Sequence, residues 1–72
     1  SDLTMMASVY HVGSLDTIGR EYGKIEEWAS RKGYVCGEES FERYVVDYWT
    51  TRVPSEFVTE ILVPVTRMEE CR

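Results

Sequence analysis

Only one stretch of this 72-residue chain carries the period of a helix, and that limit shapes everything else the chain can build. In "SLDTIGREYGKIEEWASRKG", residues 14–33, Leu15, Ile18, Tyr22, Ile25 and Ala29 recur at spacings of 3, 4, 3 and 4, laying one apolar stripe along a helix. Ser14 is a good N-cap, and Asp16 suits the positive end of the helix dipole. Arg31 and Lys32 fall in the last turn, Glu27 can pair with Arg31, and Gly33 can take the left-handed position that ends a helix. The spacing predicts an amphipathic helix over 15–32, with Trp28 widening its stripe to one side.

The remaining segments read as strands. "MMASVYHVG", residues 5–13, is mostly apolar and closed by Gly13. After a loop, "GYVCGEE", the run "SFERYVVDYW" at 40–49 crowds aromatic and β-branched residues together without Gly or Pro. "TTRVPSE" separates it from "FVTEILVPV", where Pro64 has no N–H to offer a neighbour and is therefore expected near a sheet edge, a bulge or a strand end. The order β-α-β-β predicts an α+β module: a three-stranded antiparallel sheet with one helix packed on one face.

One helix covers one face of such a sheet and leaves the other open. Both faces of the second strand nevertheless carry bulky groups, Phe41, Val45 and Trp49 on one and Tyr44, Val46 and Tyr48 on the other. A wet aromatic face of this kind marks an interface, so the module is expected to pair with a second copy through a two-fold axis. Glu42 stands out on the strand, because alternation places it on the same face as Tyr44, Val46 and Tyr48. A carboxylate among aromatic rings is costly unless paired, and a flat cation stacked on Tyr44 or a neighbouring Trp would pair it. The alternative is a solvated carboxylate, or an ion pair with Lys32, Arg43 or Arg52. Glu60, between Val58 and Leu62 on its face, poses the same choice between ligand contact and a cross-strand ion pair. Tyr10, Tyr44, Tyr48 and Trp49 serve as pocket walls or as core, Trp28 as core or cleft rim, and His11, the only histidine, reads as structural.

The net charge of −5 and pI near 4.7 argue against nucleic-acid binding, which needs clustered Lys and Arg. They permit a cationic ligand. Cys36 and Cys71 lack metal-ligand spacing and read as free thiols, and no other motif implies a metal or cofactor. No apolar run is long enough to span a bilayer and the start lacks a signal-peptide layout, so a soluble, cytoplasmic protein is expected. Residues 1–72 form a single module, with 1–4 read as a tag remnant or disordered end.

"FERYVVD" followed by "VPSEFVTEILVPV" resembles the C-terminal half of the GyrI-like family, the AraC-type effector-binding small-molecule-binding domains of bacteria. The residues that carry the likeness are Glu42 and Tyr44, Asp47, Pro54 and Glu56, then Thr59, Glu60, Ile61, Pro64 and Val65. Upstream, Gly13-Ser14 followed by a helix bearing Tyr22 and Trp28 is similar as well. Asp47-Tyr48-Trp49 stands where many relatives have Asp-Pro, and the family usually carries two such modules in tandem where this chain has one.

The resemblance implies non-catalytic binding of small, aromatic and cationic molecules in a cleft formed with a second module, in the manner of drug- and effector-binding proteins. It implies that the uncovered sheet face is the one bearing Glu42 and that Glu42 is the charged contact in the cleft with aromatic walls around it; Tyr44, Glu60, Tyr10, Trp28 and Trp49 are the further ligand-binding candidates that the residues themselves offer. Some relatives are hydrolases of strained rings, and paired carboxylates such as Glu42 and Glu60 could activate a water. The gyrase-inhibitor branch suggests a third role, protein interaction through the open sheet face.

Overall fold

Val58–Arg67, the longest strand, organises the molecule in a computed structural model that describes residues 4–70. Its alternation is clean: Thr59, Ile61, Val63 and Val65 are buried, while Val58, Glu60, Leu62 and Pro64 point to the other face and stay half-exposed. We number the strands β1 (Met5–Val12), β2 (Tyr34–Cys36), β3 (Phe41–Val46) and β4 (Val58–Arg67), with the helix α1 spanning Gly19–Lys32. β4 lies in the centre. β1 pairs antiparallel along one side of it, from Met5 opposite Val65 to Val12 opposite Val58. β3 and β2 share the other side, end to end, β3 against Val58–Leu62 and β2 against Val65–Arg67.

The sheet therefore has four strands where three were expected, although it is only three ribs wide. The missed strand, "YVC", is three residues long and too short to show any alternation, so it read as loop. Pro64 lies in the central strand, not at an edge. Gly37 N–H donates to the Pro64 carbonyl at 2.8 Å, so Pro64 turns its polar side toward the break between β2 and β3. The N–H it lacks would have faced that break, which is why proline is tolerated there.

At the front of α1 the chain first makes a short 3-10 turn, Leu15–Thr17, with the Ser14 hydroxyl accepting from Asp16 N–H. The helix ends where Gly33 adopts φ 80° and its N–H bonds the Ala29 carbonyl, a conformation that a Cβ would strain. Ile25 and Ala29 are buried beneath the helix, and Ile25 packs with Ile61 and Val63 in a small core ringed by Ala7, Val9, Ile18, Tyr22 and Cys36. The helix sits on β1, β2 and β4 and leaves β3 largely uncovered. Hence five of the six β3 residues are exposed.

The junction between β1 and α1 is locked by a buried ion pair. His11, fully buried, meets Glu21 through Nδ1 at 2.5 Å and donates from Nε2 to the Ser14 carbonyl at 2.8 Å. Acceptors on both ring nitrogens make this an imidazolium. The Glu21 carboxylate and then the Ser14 carbonyl raise the His11 pKa against the opposing effect of burial, and the His11 bond lowers that of Glu21. Lys24, 3.2 Å from the second Glu21 oxygen, completes the set. Cys36 is a free, half-buried thiol whose pKa is raised by burial, whereas Cys71 and the first three residues lie outside the described part. No helix among the described residues is long and apolar enough to cross a membrane.

Candidate functional site

Because cross-strand partners share a face, the register decides where each candidate side chain points. Glu42 pairs with buried Ile61, and Tyr44 with buried Thr59, so both project from the face that carries the helix. The open face carries Arg43 opposite Glu60 instead, with Tyr10 on the far side of Glu60. The uncovered face was expected to be the one bearing Glu42. It is the other, and Glu42 is exposed for a different reason: the helix does not reach over β3.

Tyr22, from the second turn of α1, does reach it. Its hydroxyl donates to Glu42 Oε2 at 2.6 Å, and the Tyr44 hydroxyl donates to Oε1 at 3.0 Å. The carboxylate is thus held between two phenols, and among the described residues no Lys, Arg or His forms an ion pair with it. Burial and then the Glu42 bond raise the Tyr22 pKa, while for Tyr44 the Glu42 bond is the main cause. Both tyrosines therefore stay protonated as donors, one to each oxygen of the carboxylate.

Beyond the Tyr44 ring lies a cleft of about 190 Å³, walled by Leu15, Tyr44, Tyr48, Trp49 and Phe57 with Thr59 at its floor. Local hydrogen bonds build the aromatic wall. Asp47 accepts Trp49 N–H on its side chain at 3.0 Å and Thr50 N–H on its carbonyl at 2.9 Å, an Asx-type turn that presents Tyr48 and Trp49 side by side. Their rings sit 6.4 Å apart, tilted by 30°. Asp47 makes the turn without a following proline. Trp49 is 90% exposed, an unusual state for so large a ring, and it stands over a lining that is mostly apolar.

The expected site residues therefore fall in three places. Tyr44 and Trp49 line the cleft beyond β3, and Glu42, near the start of β3, is joined to it through the Tyr44 hydroxyl. Glu60 and Tyr10 lie on the opposite face, where Glu60 accepts from the Ser8 hydroxyl at 2.7 Å and from Arg43 Nε at 2.8 Å. These bonds, Ser8 first and then Arg43, lower the Glu60 pKa, and the cross-strand ion pair is what is observed. Trp28 sits elsewhere on α1, stacked on Tyr34 with centroids 5.3 Å apart and planes 8° from parallel. Tyr22, Leu15 and Phe57 were not expected in the site. Tyr22 and Leu15 had been assigned to the helix stripe, and the hydroxyl that Tyr22 must satisfy at the stripe's edge was the available signal.

The model of the family described as the GyrI-like small molecule binding domain matches residues 4–66. The chain belongs to this family. Neither a curated protein nor a solved structure shows a significant match to it. As a GyrI-like domain, the module is a small-molecule binder with an α+β fold.

Proposed function

We propose that this GyrI-like module is a drug- or effector-binding protein that takes small, flat, aromatic cations. Glu42 supplies the counter-charge and the rings of Tyr44, Tyr48 and Trp49 supply the stacking surface. The observation that carries the reading is a carboxylate held by two tyrosine hydroxyls, with no ion-pair partner among the described residues, one of those tyrosines, Tyr44, also lining the aromatic cleft. A cation approaching along the ring faces gains both the charge contact and cation–π attraction, together about 1–2 kcal/mol or more as water is excluded. The tyrosine bonds hold Glu42 in place beforehand, so little side-chain entropy is lost on binding. The module pairs with a second copy of the chain, each bringing its own Glu42, and acts without a cofactor and without touching nucleic acid.

Titration with a planar cationic dye such as ethidium tests this, with Trp49 fluorescence as the signal. Glu42→Gln is expected to weaken binding about tenfold, which corresponds to about 1.4 kcal/mol, and Trp49→Ala to abolish most of the quench. Equal binding by Glu42→Gln, or equal affinity for an anionic dye of similar shape, would sink the proposal. Hydrolysis is the second reading, favoured by the same carboxylate between two phenols, which resembles an acid–base set. Turnover of a strained-ring or ester substrate, lost in Glu42→Gln, would move the assignment there.

A further inference from the structure

β1 is an edge strand, and neither its sequence nor its register protects that edge. It pairs with β4 along one side only, in unbroken register from Met5 to Val12. Gly13 N–H bonds the Phe57 carbonyl at 2.8 Å, and the same register sets Gly13 opposite Phe57, so hydrogen-bonded pairs recur at every second residue back through His11, Val9 and Ala7. Met6, Ser8 and Tyr10 lie between them and turn their N–H and C=O groups away from β4, where no strand among the described residues meets them. Edges of this kind are ordinarily blunted by Lys, Pro or a bulge, and "MMASVYHV" has none of these. A groove of about 570 Å³ runs beside the strand. Four consecutive β1 residues, Met6 to Val9, line it, and because they point alternately to the two faces of the sheet, the groove follows the edge and not either face. On its other side α1 supplies buried Ile25, the exposed ring of Trp28, and the cations Lys24 and Arg31 with Glu27 between them.

We propose that this edge takes an extended, acidic segment of a partner protein, which adds a strand beside β1 and turns its acidic side chains toward α1. The incoming backbone bonds the outward N–H and C=O groups of Met6, Ser8 and Tyr10. Its side chains then alternate, one set toward the helix and one toward the open face of the sheet. The helix-side set packs on Ala7, Val9 and Ile25 and reaches Lys24 and Arg31. Charge selects the occupant. Arg31 forms no ion pair among the described residues, and Lys24 has only Glu21, whose other oxygen is held by His11. An acidic side chain gives these cations the counter-charge that their own chain withholds, in a groove where the apolar lining limits screening by water. A second copy pairing through the same edge would instead bring another Lys24 and Arg31 to the seam. Trp28 is braced by its stack on Tyr34, so this wall is set before the segment arrives. The groove shares no residue with the cleft between Tyr44 and Trp49, and β1 lies across β4 from β3, so the proposal stands apart from the ligand reading.

The probe is a blocked octapeptide alternating Glu and Val, titrated into the Trp49→Phe chain so that Trp28 is the one tryptophan reporting. Its fluorescence should change saturably, with a Kd on the order of 100 µM, and an octapeptide alternating Lys and Val should bind about tenfold more weakly or not at all. N-methylation of the two central peptide residues blocks both edges of the added strand and should abolish binding. Ser8→Pro removes an N–H that points away from β4, so it should keep the helical signal and lose the peptide. Arg31→Glu should weaken the acidic peptide about tenfold and improve the basic one. Absence of saturable binding by the acidic peptide overturns the proposal, as does equal binding by the basic one. Binding that survives N-methylation overturns strand addition, and this arm decides the matter on the unaltered edge if Ser8→Pro does not fold. A chain that sediments as a dimer and becomes a monomer in Ser8→Pro would show that a second copy holds the edge, which also overturns the proposal.

Discussion

Replacing Glu21 by Gln removes one charge from a pair that has almost no access to water. His11 is 0% exposed and Glu21 5%, and among the described residues the imidazolium between Glu21 and the Ser14 carbonyl forms no other ion pair. Breaking a buried pair by deleting one partner costs about 3–5 kcal/mol, and the low end applies because His11 can release its proton. For a domain of this size, whose whole stability is of order 4–11 kcal/mol, a loss of about 3 kcal/mol is severe. It should lower the urea midpoint by roughly 2–3 M. The pH dependence identifies the cause. The folded pKa of His11 lies above its ordinary 6.5, so its contribution is full below 6.5 and disappears as pH rises through the raised value. The folded pKa of Glu21 lies below its ordinary 4.5, so its contribution is full above 4.5 and disappears as pH falls through the lowered value. The stability gap between parent and Glu21→Gln should therefore be widest from 4.5 to 6.5 and shrink on either side. Urea melts followed by circular dichroism at acid, intermediate and alkaline pH measure it directly. A gap that is flat across pH, or below about 1 kcal/mol near pH 6, would refute the ion-pair account. The paired variant His11→Leu/Glu21→Met, which removes both charges at similar volume, should recover most of the loss.

Other consequences follow from the core and the helix end. Ile61→Ala empties the centre of a very small core and should cost about 3 kcal/mol, leaving a chain that loses its cooperative thermal transition; an unchanged melting temperature would show that the core is elsewhere. Gly33→Ala should destabilise by about 1 kcal/mol through its positive φ alone, since no atom lies within 4 Å of the added Cβ. Gly19→Ala, also in open space but within the helix, should instead stabilise by a few tenths of a kcal/mol to about 1 kcal/mol. Thermal melts of the two glycine variants moving in the same direction would contradict the backbone argument.

The helix was legible because its information is local. Ser14, the 3, 4, 3, 4 spacing and Gly33 each act within a few residues; Gly33 ends the helix as expected, whereas Ser14 caps a separate 3-10 turn and α1 itself begins at Gly19, four residues later than the expected start at 15. Strand faces were less legible, because alternation says which residues share a face but not which face meets the helix. That choice was made by β4, where Ile61 and Val63 turn toward Ile25, and by a register that sets Glu42 opposite Ile61. The irregularity between Tyr44 and Val46 then breaks alternation, so the expected grouping of Val46 and Tyr48 with Glu42 does not carry through the strand. Glu21 was hidden for a related reason. On the helix it reads as a solvated acid beside Arg20 and Lys24, and only the fold brings His11, ten residues earlier, beneath it. The two carboxylates that drew notice along the strands, Glu42 and Glu60, separate for the same cause. One register step places Glu60 across from Arg43, where its charge is matched, and leaves Glu42 beside two phenols, where it is not. The likeness to the family drew attention to both carboxylates, but the difference between the ion-paired Glu60 and the tyrosine-bonded Glu42 arises from pairing across β4.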